Sequence, residues 1–128
     1  MTQWTDDQLD KVGRAEELQI ASVRRDGTLR KPVTVWVVRH GDDLYVRSVG
    51  GRSGGWFRGV QEMHEGRIRA GGVEQEVTFV GAGHDLEDEI DAAYRQKYRR
   101  YAGRILDSVL TPEARSTTIK VVPRSTGS

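Results

Sequence analysis

The chain has 128 residues, enough for one domain with a real core and too few for two comfortable ones. A formal net charge of +1 supplies no global field for nucleic acid or a membrane surface. The absence of cysteine excludes disulfides, thiolate metal sites and cysteine nucleophiles, and a hydrophobic fraction of 36% beside 30% charged residues suits a small sheet-rich domain or one that completes its core by dimerising. No apolar run approaches the ~20 residues of a membrane helix. The opening Gln3, Asp6, Asp7 and Asp10 is unlike a signal peptide, so a soluble, cytoplasmic protein is expected.

Thr5-Asp6-Asp7-Gln8 reads as a capping box at the start of a short helix, with Leu9 and Val12 on one face and Gly13 as its stop. Leu18 to Arg24 alternates as a strand, and Asp26-Gly27 marks a tight hairpin turn. The return strand, about Lys31 to Arg39, is rich in β-branched residues with Trp36 at its middle. A second turn at His40-Gly41-Asp42-Asp43 leads to a third strand, Leu44 to Val49, which completes an antiparallel meander. Trp56 to Met63 reads as a short helix with Trp56, Val60 and Met63 on one side. Arg67 to Gly71 and Val73 to Val80 follow as strands, with Gly71-Gly72 as a turn or a bulge.

Asp85 to about Leu110 is the clearest helical pattern, with Ile90, Tyr94, Tyr98, Tyr101 and Ile105 recurring on one face. Acidic residues crowd its first turns and basic ones its later turns, an order that suits the helix dipole. Asp85 to Asp91 is accordingly expected to be a solvated face, and Gly103 a kink or an early end. Thr111-Pro112-Glu113 closes this element or opens another helical turn, Thr117 to Val122 is a last strand, and the tail from Arg124 to Ser128 is expected to fray. With no internal repeat and no linker, residues 1–128 read as one domain.

The chemistry concentrates between Tyr45 and Phe57. Gly50-Gly51-Arg52-Ser53-Gly54-Gly55 follows a strand and precedes a helix, and Arg47, Ser48, Arg52 and Ser53 offer donors suited to a phosphate or carboxylate. Between Leu44 and Arg69 five arginines stand against two glutamates, a local excess of +3. The stretch lacks the ending of a P-loop and the βαβ context of a dinucleotide fingerprint, which leaves an anion cradle or a polar surface loop. His40, His64 and His84 show no metal-ligand spacing, and no serine has a readable triad. The tyrosine stripe reads as core or dimer packing, while Trp36 and Trp56 are core residues or walls of an aromatic site.

Several of these segments resemble the flavin/deazaflavin (FMN-binding) split β-barrel superfamily. Asp26-Gly27 leading through Pro32-Val33-Thr34 to Trp36 looks like that family's first hairpin, and Ser48-Val49-Gly50-Gly51 followed by Trp56-Phe57 is similar to the Ser-Lys-Gly-Gly…Trp-Tyr stretch of its deazaflavin-dependent reductases. Glu17-Leu18-Gln19-Ile20, Trp36-Val37-Val38, Tyr45-Val46-Arg47-Ser48, Gly66 to Gly72 and Tyr94-Arg95-Gln96-Lys97-Tyr98 look like an uncharacterised bacterial family grouped with those barrels, domain of unknown function 2255. Val49 stands in place of the reductases' lysine and Val35 in place of a strand proline.

The resemblance implies an α+β fold built on a six-stranded antiparallel split barrel, dimerising around a groove for FMN or a deazaflavin coenzyme. It further implies an oxidoreductase whose cofactor phosphate is held by Lys31, Thr34, Arg47, Ser48, Arg52, Ser53 and Arg58. Gly50 and Gly51 would admit the ligand, and Trp36 and Trp56 would flank its rings. The alternative is a barrel without flavin that binds an anionic or aromatic small molecule as a carrier, sensor or cofactor-independent enzyme. Neither reading involves a metal, nucleic acid or membrane.

Overall fold

The strands Glu65–Ala70 and Ile119–Pro123 bury every second residue, whereas Leu18–Ser22 and Asp43–Val46 bury consecutive residues because both of their faces are covered. The computed structural model describes residues 3–53, 55–82 and 85–124; Gly54, His84 and the tail 125–128 lie outside the described residues. β5 (Glu65–Ala70) turns Gly66, Ile68 and Ala70 inward and Arg67 and Arg69 outward. β6 (Val73–Gly81) pairs with it antiparallel through a turn in which Gly71 and Gly72 have φ of 57° and 85°, the backbone of a tight hairpin.

The remaining strands are β1 (Leu18–Ser22), β2 (Val33–Val35), β3 (Val37–His40), β4 (Asp43–Val46) and β7 (Ile119–Pro123). Their order is β2-β1-β5-β6-β7-β4-β3, with every pairing antiparallel. β2 and β3 are separated in the chain by Trp36 alone, yet they stand at opposite ends of that order. The sheet therefore curls into a nearly closed barrel whose seam is at Trp36.

Seven strands replace the expected six because the single return strand, Lys31 to Arg39, is divided at Trp36: Val33–Val35 pairs with β1 and Val37–His40 with β4. The expected meander is two hairpins at two sheet ends. A barrel core of Leu18, Ile20, Val37, Leu44, Val46, Ile68, Val77, Phe79, Ile119 and Val121 fills the interior.

α1 (Asp6–Arg14) closes one end with Leu9 and Val12, its capping box formed by Thr5 and Gln8 as expected, and it runs one residue past Gly13. Trp4 fixes the approach by donating from its indole to the Val121 carbonyl at 2.9 Å. α2 (Gly55–Met63) buries Phe57 and Val60, so its inward face is rotated from the expected Trp56, Val60 and Met63.

The expected helix from Asp85 to Leu110 is instead α3 (Glu87–Lys97), a 3₁₀ turn (Arg99–Tyr101) and α4 (Arg104–Asp107). The Tyr98 hydroxyl is held by the Glu16 carbonyl at 2.7 Å, and Gly103 takes φ 107°, a conformation that breaks the helix. α5 (Pro112–Arg115) is capped by Thr111, whose hydroxyl accepts from the Ala114 amide. Outside the barrel, Ile90 and Tyr94 of α3 and Tyr98, which caps it, pack on Val38 and Tyr45 of β3 and β4.

Candidate functional site

Trp36, at the barrel seam, is held by its neighbours. Its ring stacks on Tyr98 with centroids 3.9 Å apart and planes within 4°, and Tyr101 tilts against it at 5.3 Å. Tyr98 is itself fixed: its hydroxyl accepts from the Val37 amide at 3.2 Å and lies 2.7 Å from the Glu16 carbonyl. Tyr94 and Tyr98 are thus packed within the chain, and burial pushes their phenols well above their ordinary range. Lys97 donates to the Val37 carbonyl at 2.6 Å, and burial pulls its ammonium down to about 8.

Beside Trp36 opens a cleft of about 420 Å³, bounded by Thr34 and Val35 of β2, Val49 and Gly50 of the Gly-rich loop, Trp56 of α2 and Ser108 beyond α4. Thr34 accepts from the Gln19 amide at 3.3 Å, which leaves its hydroxyl proton for a ligand. Val33, Val49 and Ile105, three of the exposed large apolar residues, stand around the opening. Glu17 contributes a carboxylate.

Arg47 reaches this cleft from beneath but does not offer its charge to it. The residue is 1% exposed. Its Nε donates to the Thr118 hydroxyl at 2.9 Å, Nη1 to Asp91 at 2.5 Å and to the Val109 carbonyl at 2.9 Å, and Nη2 to the Glu87 carbonyl at 3.1 Å. Asp91 in turn meets Arg115 at 3.2 Å. The guanidinium is therefore an internal tie between β4, α3 and the α4–α5 segment, not an open phosphate clamp. Asp91, expected on a solvated face, is buried for the same reason.

Ser48 is likewise committed within the chain: its hydroxyl donates to the Gly51 carbonyl at 2.9 Å and its amide to the Thr117 hydroxyl at 2.8 Å. Gly51 needs its φ of 69° to complete that turn.

The other expected ligands separate into groups. Thr34, Trp36, Gly50 and Trp56 line the cleft together. Arg52 lies in a different depression with Gln61 and Ser116, donating to the Ser116 carbonyl at 3.4 Å, and exposed Ser53 donates to the Gly50 carbonyl. Arg58 faces a third depression with Arg30, Gly59 and Glu62. Lys31 is exposed and lines none of these.

Sequence reasoning missed Glu17, Ser108 and Arg30. Glu17 and Ser108 reach the cleft from segments far away in sequence, and nothing in Arg30-Lys31 tells which of the two cations turns toward the protein. Among the described residues no group of histidine, cysteine, aspartate or glutamate could hold a metal ion, and no helix is long and apolar enough to cross a membrane.

The chain matches, over residues 8–121, the family described as uncharacterized protein conserved in bacteria (DUF2255), and it belongs to that family. No curated protein matches it in sequence. Its fold is shared with solved structures of low identity. One is an F420 reductase, 18% identical, covering 97% of both chains with a TM-score of 0.56. Another is a haem storage protein from Vibrio cholerae, 12% identical, covering 95% of this chain and 91% of that one at 0.57. A conserved hypothetical protein from Mycobacterium tuberculosis is 10% identical, covering 97% and 82% at 0.58. These likenesses place the chain among the split barrels, the fold that the sequence resemblance implied.

Proposed function

We propose that this chain is an oxidoreductase that holds the ring system of a flavin or deazaflavin coenzyme in the cleft between Trp36 and Trp56. The observation that carries this reading is the cleft itself: two indoles, apolar walls from Val35 and Val49, hydroxyls from Thr34 and Ser108, and the exposed backbone of Gly50 around about 420 Å³. Such a lining suits a flat, partly polar ring.

The coenzyme would supply hydride chemistry. The chain's residues hold and shield the ring: Trp36 arrives already braced by Tyr98, so little side-chain freedom is lost on binding. Thr34 can donate its hydroxyl proton to a ring carbonyl, and Val33, Val49 and Ile105 exclude water once covered. A second copy of the chain is the proposed cover, because these apolar side chains cluster at the opening. With Val49 and Ile105 each 58% exposed, they would otherwise face solvent.

A flavin-type ring is favoured over haem because the described residues lining the cleft include no histidine, cysteine or methionine to ligate iron. The test is fluorescence titration of ligand-stripped protein with FMN, riboflavin and a deazaflavin coenzyme, followed by hydride-transfer assays of the loaded protein. Micromolar binding that Trp56→Ala weakens supports the reading; no binding to any of them overturns it.

A second reading keeps the cleft and drops the coenzyme. With Arg47 paired to Asp91 and Glu17 at the wall, the described residues lining the cleft present no cation free of an ion pair, which favours a neutral or cationic aromatic ligand. Saturable binding of such a ring without any flavin binding would select it.

A further inference from the structure

Lys97 closes α3 and turns its side chain back onto β3. Its Nζ donates to the Val37 carbonyl at 2.6 Å and lies 5.0 Å from the centroid of the Tyr98 ring. A carbonyl and a ring face attract an ammonium, but neither carries the full charge that would offset its lost hydration. Among the described residues no carboxylate pairs with it. Burial accordingly pulls its pKa from 10.5 to about 8, so on the order of a tenth of the amine is neutral at pH 7. A neutral amine can still donate one proton to Val37 while its lone pair is free to attack.

The lysine is not sealed off. It is half-buried and lines a depression of about 250 Å³ with Val38 and Arg39 of β3, Ala93 and Gln96 of α3 and Gly13 of α1. None of these described residues is acidic, and the charge beside the lysine is the Arg39 guanidinium. Arg39 is itself positioned from two sides. A Cβ on Gly13 would lie 3.3 Å from Arg39 Cβ and 3.6 Å from its Cδ, so glycine lets the arginine stem lie against α1. Arg39 Nε donates to the Gly41 carbonyl at 2.9 Å, and Nη2 meets exposed Asp42 only at 3.9 Å, too far for a hydrogen bond. Its terminal nitrogens therefore keep their donors for an anion.

An electrophilic carbonyl that carries its own phosphate fits this pairing of amine and guanidinium. We infer that Lys97 is a covalent modification site that takes the acyl group of an acyl phosphate, with Arg39 holding the phosphate. In that step the neutral Lys97 nitrogen attacks the carbonyl carbon and a C–N bond forms. The C–O bond to phosphate breaks, inorganic phosphate leaves with the electron pair, and the amine proton passes to water. The product amide has no charge to bury and keeps one N–H for the Val37 carbonyl. The site stands apart from the cleft and does not depend on what fills it. Lys97 does adjoin Tyr98, so the mark lies beside the brace of the barrel seam.

The test is incubation of the full chain with acetyl phosphate, followed by peptide mass spectrometry of Lys11, Lys31, Lys97 and Lys120. At pH 8 Lys97 should be acetylated about tenfold faster than exposed Lys11 and Lys31, and its rate should level off just above that pH. Arg39→Gln, at an exposed position, should slow the reaction of Lys97 with acetyl phosphate about tenfold. The same variant should react unchanged with p-nitrophenyl acetate, a neutral ester with no phosphate to hold. Protein acetylated at Lys97 should also lose the rise in stability between about pH 8 and 10.5.

Acetylation of Lys97 no faster than of Lys31 overturns the site. So does an Arg39→Gln variant that slows both reagents equally, since the arginine then acts only through the fold, or one that slows neither.

Discussion

Arg47 and Asp91 meet at 2.5 Å inside the protein, with the arginine side chain fully buried and the aspartate side chain 9% exposed. A strand end and the middle turns of a helix are joined there through a charge pair that water barely reaches. Removing one partner leaves the other uncompensated in a poorly solvated place, which costs about 3–5 kcal/mol. Arg47→Ala is thus expected to lower unfolding stability by that amount in urea titrations. If Arg47 instead served mainly as an exposed clamp, stability would hold and only ligand affinity would fall.

The two tryptophans should respond differently to truncation. Trp36→Ala removes the stack on Tyr98 and loosens the seam, destabilising the fold by about 2–3 kcal/mol as well as weakening ring binding. Trp56 is half-buried and touches Phe57 edge-on at 6.1 Å. Trp56→Ala is expected to cost about 1 kcal/mol of stability and about tenfold in ring affinity. Denaturation and fluorescence titration of both variants separate the roles, and equal loss of stability in the two would contradict this assignment.

Lys97 predicts a rise in stability with pH. Burial lowers its folded-state pKa from 10.5 to about 8, so the folded chain sheds this proton before the unfolded chain does. The penalty of holding a buried ammonium is complete below about pH 8 and is relieved as pH climbs from there toward 10.5. Tyr94 and Tyr98 have the opposite sign: their raised pKa means the unfolded chain ionises first, and stability falls above their ordinary value of 10.0. In denaturation curves taken across this range, Lys97→Met should flatten the rise and leave the fall.

Two glycines of β5 and its turn offer a matched pair. A Cβ at Gly66 would lie 2.0 Å from the Ala21 carbonyl oxygen, backbone that cannot step aside without breaking the β1–β5 ladder. At Gly72 the same atom meets nothing within 4 Å, and only the φ of 85° opposes it. Gly66→Ala should therefore cost about 2–3 kcal/mol or more and Gly72→Ala about 1 kcal/mol. Comparable thermal midpoints for the two variants would refute the ranking.

The proposed second copy can be tested at the rim. Ile105→Asp and Val49→Asp place charges where the model of a covered cleft needs apolar surface, and each is expected to shift the protein to monomer in light scattering. A mass that is monomeric in wild type, or dimeric and unaffected in both variants, would remove the dimer from the proposal.

Local patterns carried much of the fold. Thr5 and Gln8 announce a capping box that forms as written, and Asp26-Gly27 and Gly71-Gly72 announce turns that occur. Each depends only on neighbours in the chain. The division at Trp36 was not legible, because Lys31 to Arg39 is an unbroken β-rich run and only closure of the sheet forces its halves onto different partners. The end of α3 at Lys97 had a trace in Gly103, but the tether on Tyr98 comes from Glu16, 82 residues away.

The candidate site divides in the same manner. Trp36, Trp56, Thr34 and Gly50, legible in the sequence as candidates, meet in one cleft. Arg47 carries its charge beside a Gly-rich loop, and nothing local in the sequence shows that Asp91 and Thr118 claim it. Position alone distinguishes an arginine that ties the interior together from one that greets a ligand.

The seam at Trp36 gives the barrel a direction of yielding. β2 is three residues long and is hydrogen-bonded as a strand only to β1, so the edge that faces β3 is held chiefly by the braced indole between them. Amide protons of Val33 to Val35 are where exchange with solvent should begin, while β5 and β6, paired on both sides, retain theirs longest. Any molecule lodged against Trp36 acts as a wedge in reverse, clasping the two ends of the sheet, and occupancy of the site becomes readable as slowed exchange along a single short strand.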